Sequence, residues 1–190
     1  MKRWLRFTAA VLAAAFLFAL TGCGGSTNSA SFTWFVDSIP ANLDPQVASG
    51  ASDVIACENL YGTLVRKDPD GELVPGLCEK WTVSPDGLTY SFTLKDGLTY
   101  AAAKGAATEY DITAEDFVFA FRRIFRADTA SPYAVEFSAI QNSATVLAGL
   151  ADESSLGVSA NGALTLVFRL SERDDNFLAK LAMPGAAPCD

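Results

Sequence analysis

The sequence has no histidine among its 190 residues. Ser-His-Asp and Cys-His catalysis both use an imidazole as the general base, so neither can operate within this chain. The usual zinc sites rely on histidine or on closely spaced cysteines, and the chain has no Cys-x-x-Cys pair either. These absences exclude the commonest hydrolase mechanisms and zinc centres from this segment.

The chain has few cysteines, and their spacing matches no common disulfide or metal-binding motif. Of the four cysteines, Cys23 lies near the start, and the other three are widely spaced at Cys57, Cys78 and Cys189. Cys57 and Cys78 have apolar neighbours, which predicts that they are small core residues. A disulfide between these two remains the alternative interpretation.

Basic residues are in the minority, with 14 Lys and Arg against 22 Asp and Glu. Three of the basic residues and none of the acidic ones lie within residues 1–22, so the rest carries eleven basic and 22 acidic residues, a net charge of −11. Nucleic-acid binding needs basic stripes, and this balance argues against it. An acidic body also suits a protein held away from an anionic membrane.

The apolar region Val11–Leu20 follows three basic residues and is too short to span a bilayer, which needs ~20 apolar residues. Residues 1–22 are therefore predicted to be a signal peptide. The run ends in Leu-Thr-Gly-Cys, which resembles a lipobox and predicts Cys23 as the lipid attachment site. Residues 23–31, rich in Gly and Ser, are predicted to be a flexible tether. An ordinary secretory signal followed by a chance cysteine is the alternative.

The strongest pattern for a folded core lies between residues 76 and 121. From Leu88 to Lys95 the residues alternate strictly between apolar and polar, which is the period of a half-buried antiparallel strand. Ser84–Gly87 provides a turn before this strand, and Trp81–Val83 would be the returning strand of a hairpin.

A helix is predicted to begin after Thr113, whose hydroxyl can cap free backbone amides while Glu115 and Asp116 face the positive end of the helix. Its apolar stripe would consist of Phe117, Val118, Phe121, Ile124 and Phe125.

Further elements are predicted on either side of this core. They are a first strand over Ser31–Asp37, a helix over Ser52–Leu60 capped by Ser52 or Asp53 with Val54, Ile55 and Leu60 inward, a helix over Phe137–Leu150, an alternating strand over Ala163–Leu170, and a last helix from Asp174 or Asp175 through Met183.

Two sequence blocks in fixed order point to a family. Residues 76–97 read GLCEKWTVSPDGLTYSFTLKDG and residues 112–119 read ITAEDFVF. Together they resemble the extracellular solute-binding proteins of peptide and nickel ABC transporters (family 5), specifically the oligopeptide-binding branch. An insert over residues 100–112 replaces the family's usual Ser-Asp-Gly-x-Pro turn, so details of that turn are not transferred.

The resemblance implies an α/β fold of the periplasmic-binding-protein-like type II class (cluster C), α+β in its second domain, with antiparallel β-hairpins packed on helices. Members of the family are much longer, so this chain is expected to be the N-terminal third. Residues 31–61 would open domain I, and residues 62–188 would form domain II, the small lobe. Domain III is expected to lie outside this chain.

The resemblance also implies where ligand would lie. Oligopeptide binders hold the ligand backbone as an added strand, partly through the loop after Leu-Asp-Pro, which predicts Ser49, Gly50 and Ala51 as ligand-binding residues. The tyrosine of an Ala-Ser-Pro-Tyr motif reaches ligand in this branch, and Tyr133 matches it. A phenol on a Ser-Pro loop is expected to offer its ring and hydroxyl at the surface.

Less specific interpretations of these residues remain open: Tyr133 could simply pack its own loop, and residues 49–51 could be an ordinary entry into a helix. The other charged groups have structural interpretations. Asp68, Asp70 and Asp86 are predicted to form turns rather than bind metal, and the arginines of the predicted helix, including Arg123, to form a solvated face.

The sequence thus predicts a lipid-anchored, monomeric substrate-binding protein of an ABC importer, with an oligopeptide ligand and permease subunits as partners. It predicts no cofactor, no metal and no enzymatic activity. Alternatives are a family member that binds another solute (a dipeptide, a nickel chelate or an oligosaccharide) or a peptide-sensing signalling lipoprotein. A surface hydrolase is disfavoured because neither a histidine nor a Gly-x-Ser-x-Gly elbow is present.

Overall fold

The computed structural model describes residue 33, residues 37–101 and residues 110–189. The chain divides into two units, residues 1–35 and residues 36–190, and the elements below belong to the second. The predicted signal peptide, the tether and Cys23 lie outside the described residues. The strand predicted over residues 31–37 also falls there, apart from Thr33 and Asp37.

The described part contains four α-helices, six β-strands and three short 3₁₀ turns. In chain order they are α1 (Ala51–Leu60), β1 (Val65–Lys67), β2 (Leu73–Pro75), β3 (Cys78–Val83), β4 (Thr89–Leu94), α2 (Ala114–Ile124), a 3₁₀ turn (Pro132–Ala134), α3 (Ser143–Leu147), a 3₁₀ turn (Glu153–Ser155), β5 (Val158–Ala160), β6 (Thr165–Arg169), α4 (Phe177–Lys180) and a 3₁₀ turn (Pro184–Ala186).

A four-stranded antiparallel sheet in the order β3-β4-β6-β5 forms the framework. Along β4, Tyr90, Phe92 and Leu94 are buried and the residues between them are half-buried, which confirms the alternation predicted from the sequence. The predicted hairpin is confirmed as well, and β3 is longer than the Trp81–Val83 segment expected for it. Phe168 of β6 lies opposite Tyr90, so the two strands turn their apolar side chains to the same face.

A separate two-stranded sheet, β1 with β2, is closed by the predicted Asp-Pro-Asp-Gly turn. The Asp68 carboxylate accepts hydrogen bonds from the backbone amides of Asp70 at 3.0 Å and Glu72 at 2.9 Å. This carboxylate is therefore used within its own turn, as predicted for a turn-forming aspartate.

Helix α2 covers the buried face of the sheet. The Asp116 carboxylate accepts hydrogen bonds from the Thr113 amide at 2.6 Å and from its hydroxyl at 3.2 Å, which fixes the start of the helix. The whole predicted stripe is buried, with Phe117, Phe121 and Ile124 at 0% exposure and Phe125 at 1%.

Aromatic rings join the sheet to the segments around it. Phe168 lies near the centre, with ring centroids 4.8 Å from Phe121, 5.4 Å from Phe177 and 5.9 Å from Phe92. Phe137 contacts Phe121 at 5.0 Å. These tilted and edge-on contacts are the arrangements that aromatic quadrupoles favour, so sheet, helix and following loops share one core.

The orientation predicted for α1 was wrong. Gly50 is its N-cap, without a side-chain cap, and Asp53 instead accepts a hydrogen bond from the Ala41 amide at 2.7 Å. Ile55 and Leu60 are 40% and 61% exposed. The face turned inward carries Ser52, Ala56 and Cys57, whose small side chains let the helix lie close to the rest of the fold.

The helix predicted over Phe137–Leu150 is confined to α3, Ser143–Leu147. Asn142 has φ 64°, a left-handed conformation that cannot continue a right-handed helix, so the residues before it cannot join α3. The last predicted helix is also shorter, covering Phe177–Lys180, and Asp174 accepts the Asn176 amide before it.

Cys57 and Cys78 are both fully buried free thiols. This confirms the prediction that they are small core residues, and the alternative of a disulfide between them is wrong. Among the helices in the described ranges, none combines the length and apolar character that crossing a membrane requires.

Replacing Phe168 by alanine should destabilise the chain by about 3–5 kcal/mol, because it removes the ring shared by three aromatic neighbours and leaves a cavity. Urea unfolding followed by tryptophan fluorescence measures this change. Val135→Ala, at a side chain 76% exposed, is the control and should change the free energy of unfolding by less than about 0.5 kcal/mol. Equal effects of the two substitutions would contradict a core centred on Phe168.

Candidate ligand-binding site

The segment predicted to contact ligand lies on the surface at the start of α1. Ser49, Gly50 and Ala51 are exposed, and Gly50 has extended backbone angles of φ −70° and ψ 147°. The first amides of a helix have no partner within it, so this segment presents main-chain groups outward. Ala48, immediately before it, is buried at 1% exposure.

Tyr133 lies beside this segment but is not at the surface. Its side chain is 5% exposed, and its hydroxyl donates a hydrogen bond to the Ala48 carbonyl at 3.0 Å. Its ring packs on Gly185, where a Cβ would come within 2.4 Å of the ring. The expectation that the phenol is displayed at the surface is therefore wrong, and the burial agrees with the interpretation that Tyr133 packs its loop.

Ser131 makes a second bond to the same loop. Its hydroxyl donates to the Gln46 carbonyl and accepts the Tyr133 amide at 3.2 Å. Pro132 begins the 3₁₀ turn that sets these side chains side by side. The Ala-Ser-Pro-Tyr motif thus binds two carbonyls, those of Gln46 and Ala48, and fixes the chain just before the exposed segment.

A polar network holds the other side of the loop. Arg123 of α2 forms an ion pair with Asp44, and the same guanidinium donates to the side-chain carbonyl of Gln46. Gln46 is 0% exposed, and its amide nitrogen donates to the Ala187 carbonyl at 3.3 Å and lies 3.2 Å from the Cys189 sulfur. Three distant parts of the chain therefore meet at one glutamine.

The ion pair and its surroundings change the titration of these groups. The hydrogen bond from Arg123 lowers the pKa of Asp44 below its ordinary value, although partial burial opposes this. The same bond raises the pKa of Arg123. Burial raises the pKa of the Cys189 thiol above its ordinary value, which favours the neutral thiol over the thiolate.

The sequence did not reveal this network. Arg123 was expected on a solvated helix face with its neighbouring arginines, and Gln46 was not singled out. Asp44 stood out only as part of Leu-Asp-Pro, a turn-forming motif. The partners are 77 and 79 residues from Arg123, and no local spacing in one sequence relates such positions.

Two surface depressions lie near these residues. One of about 600 Å³ is bordered by the end of α1, strand β1 and residues 179–184. The other, about 540 Å³, lies over the Asp44–Arg123 pair and is lined in part by Tyr61, Phe119 and Cys189. Neither is lined by Tyr133 or by Ser49–Ala51, and Ser49–Ala51 lie exposed on the surface.

Within residues 37–101 and 110–189, no group of three or more acidic or cysteine side chains is arranged to hold a metal ion. The acidic groups considered in the sequence serve the backbone instead. Asp86 accepts the Leu88 amide at 3.0 Å, and Asp116 caps α2.

Replacing Asp44 by asparagine should lower the free energy of unfolding at neutral pH and lower it less in acid. The folded pKa of Asp44 is depressed, so the ion pair stabilises the fold above the unfolded pKa of ~3.9 and is lost as pH falls through the folded pKa. Urea unfolding at pH 7 and at pH 3 measures the difference in the free energy of unfolding between wild type and Asp44→Asn. Asp175→Asn is the control, because the Arg173–Asp175 pair is exposed and should contribute little. If this difference in free energy is as large at pH 3 as at pH 7, the Asp44–Arg123 ion pair is not its cause.

Comparison with known proteins places this fold. The family described as bacterial extracellular solute-binding proteins, family 5 Middle, matches residues 72–189, more than half of the chain. The probable deoxycholate-binding periplasmic protein YgiS of Escherichia coli (strain K12) is 34% identical over 151 residues, covering 78% of this chain and 27% of YgiS.

Two solved structures share the architecture. The Escherichia coli murein tripeptide binding protein MppA superposes with a TM-score of 0.70 at 32% identity, over 80% of this chain and 29% of MppA. Haemophilus influenzae OppA in complex with the peptide RPPGFSPFR gives a TM-score of 0.70 at 28% identity, over 80% of this chain and 29% of OppA. The chain thus spans less than a third of the length of these relatives.

These findings confirm the predicted fold class: an α/β segment of the type II periplasmic-binding-protein-like fold with antiparallel hairpins packed on helices. The family and these relatives are substrate-binding transport proteins that act in the periplasm or outside the cell. The chain belongs to the bacterial extracellular solute-binding proteins of family 5.

Proposed function

We propose that this chain is part of the substrate-binding protein of an ABC importer that captures oligopeptides between two lobes and delivers them to the permease. The observation that carries the proposal is the exposed segment Ser49–Ala51, which follows a loop bonded by Ser131 and the buried Tyr133, in a fold shared with peptide-binding receptors. Ser49, Gly50 and Ala51 would contact the ligand, and Tyr133 would complete the site.

The chemistry of the segment supports a peptide ligand. Its three side chains are small, and Gly50 is already extended, so an added peptide strand could approach the main chain closely. Main-chain hydrogen bonds recognise any peptide backbone, which suits an importer that accepts many sequences. The open surface found here also requires an opposing lobe to enclose the ligand.

We place that opposing lobe in the remainder of the protein. The relatives are more than three times longer than the part matched by this chain. In this proposal residues 31–61 begin domain I, residues 62–188 form domain II, and a third domain closes over the ligand. Closure would shift a two-state equilibrium, because peptide contacts both lobes only in the closed state.

A different solute is the second candidate, because the relative YgiS is named for deoxycholate binding. A dipeptide, a nickel chelate or an oligosaccharide would keep the same fold and permease partners with other pockets. A peptide-sensing receptor is a third, since the pheromone receptor PrgZ also shares this fold. No enzymatic activity is proposed, because the family and the relatives described above are solute-binding proteins.

For location, we propose an extracytoplasmic, membrane-anchored monomer. Cys23 would be diacylated and would then become the N-terminus when residues 1–22 are removed, and two acyl chains are enough for stable anchoring. The residues after Cys23 would act as a tether and hold the acidic body, net −11, away from the anionic membrane.

Peptide binding is tested by calorimetry on the complete mature protein, encoded from residue 23 to its natural end. The nonapeptide RPPGFSPFR should bind with a Kd of about 10 μM or tighter, while deoxycholate and nickel ions should give no heat. Heat with deoxycholate and none with several peptides would move the protein to the second candidate.

The role of the Gly50 main chain can be tested with a matched pair of variants. Proline fits φ −70° and removes the Gly50 N–H, whereas alanine adds a similar Cβ and keeps it. If this amide binds peptide, Gly50→Pro should weaken affinity by about tenfold relative to Gly50→Ala. Equal affinities of the two variants would show that the ligand does not use this donor.

Lipid attachment predicts a separate result. Wild-type protein expressed in a bacterial host should incorporate labelled palmitate and fractionate with membranes, and Cys23→Ala should do neither. Cys189→Ala, which removes a different thiol, is the control and should stay labelled. Label retained in the Cys23→Ala variant would exclude Cys23 as the attachment site.

A further inference from the structure

Two side chains of one turn hold two carbonyls of another segment, and both pairs have the same spacing. The Ser131 hydroxyl bonds the Gln46 carbonyl, and the Tyr133 hydroxyl bonds the Ala48 carbonyl at 3.0 Å. We name residues 46–48, together with the side chains of Ser131 and Tyr133, the loop clamp. Ser49, the first predicted ligand contact, follows the clamp directly.

Burial changes abruptly at the end of the loop clamp, between Ala48 and Ser49. Gln46 and Ala48 are 0% and 1% exposed, and Tyr133 is 5% exposed. By contrast, Ser49 and Gly50 are exposed. The Tyr133 hydroxyl is already used by a carbonyl of its own chain, and its ring lies against Gly185.

From this geometry we infer that Tyr133, Ser131 and Gln46 are positioning residues, which set the backbone of Ser49–Ala51 for ligand without contacting it. The inference rests on the proposed function, because it assigns a task within that ligand site. It differs from the expectation from sequence, in which the Tyr133 hydroxyl reaches the ligand itself.

Positioning and contact have different consequences for affinity. If the loop clamp keeps Ser49–Ala51 in the conformation that binds ligand, weakening the clamp reduces the fraction of free protein that has this conformation. The apparent Kd then rises by the inverse of that fraction, and this factor is the same for every ligand. A lost contact to a ligand side chain would instead cost more for some peptides than for others, and any lost ligand contact would leave hydrogen exchange of the free protein unchanged.

The test uses Ser131→Ala, Tyr133→Phe and the double variant in the complete mature protein. Hydrogen exchange is measured first without ligand. Loss of one bond should speed exchange of the Val47 and Ala48 amides, which both donate to the Asp44 carbonyl, by about tenfold, with larger changes in the double variant, while strands β4 and β6 keep their protection. Calorimetry with RPPGFSPFR and two unrelated peptides follows.

Tyr90→Phe is the matched control. Tyr90 is also buried, at 6% exposure, and its hydroxyl donates to a backbone carbonyl, that of Asp174 at 3.5 Å. Tyr90→Phe should leave exchange of the Val47 and Ala48 amides and all peptide affinities unchanged. Gln46→Met, which keeps the volume and removes the amide, tests the third member of the clamp.

One common loss of affinity for all peptides, at least about threefold in the double variant, together with faster local exchange, supports positioning. Unchanged exchange of the Val47 and Ala48 amides overturns positioning, as does a loss of affinity confined to particular peptides, which would assign Tyr133 to direct contact. If wild-type protein binds no peptide, the proposed function fails, whereas the exchange measurement still decides whether the clamp orders this segment.

Discussion

Packing of aromatic rings between α2 and the four-stranded sheet fixes the place of every other segment. Phe121 of α2 contacts Phe168 of β6 at 4.8 Å and Phe137 at 5.0 Å, all at 0% exposure. Since a packed core has few alternative arrangements, α2 cannot shift along the sheet without opening a cavity. Arg123, two residues beyond Phe121, is thereby held at one position on the surface, where Asp44 and Gln46 meet it.

Gln46 is an unusual residue to bury completely, because an amide loses its hydration and must find partners inside. Here its side chain bonds Arg123 and the Ala187 carbonyl, and its backbone bonds Ser131 and Asp44. A leucine of similar size could fill the space, but it makes no directional hydrogen bonds and so would not fix the orientation of the loop. The directed bonds of the amide allow fewer orientations, which is how a buried polar group can select one conformation.

The parts of this fold that follow local rules could be predicted from the sequence. The alternation in β4, the turn before it and the stripe of α2 each depend on residues a few positions apart. The helix over Phe137–Leu150 failed because one residue, Asn142, takes a left-handed conformation that its neighbours do not signal. Likewise α1 turned its small residues inward rather than Ile55 and Leu60, because close approach outweighed burial of larger side chains.

In the candidate site, too, local motifs could be predicted from the sequence and long-range contacts could not. Ser49–Ala51 and Tyr133 were selected by resemblance to a family, and the structure does bring them together through Ala48. That Tyr133 faces inward depends on contacts with residues 85 positions before and 52 positions after it, at Ala48 and Gly185, which one sequence does not relate. Long-range partners therefore decided the role of a residue whose motif was local.

Recognition through the main chain places a demand on the rest of the protein. Ser49, Gly50 and Ala51 have little side-chain bulk with which to fix their own conformation, and Gly50 has the greatest freedom of any residue type. Hydrogen bonds to a peptide backbone weaken steeply when donor and acceptor are misaligned. Accuracy must then come from residues that do not touch the ligand. The hydroxyls of Ser131 and Tyr133 and the buried amide of Gln46 are placed to supply it, because they hold residues 46–48, which directly precede the exposed segment.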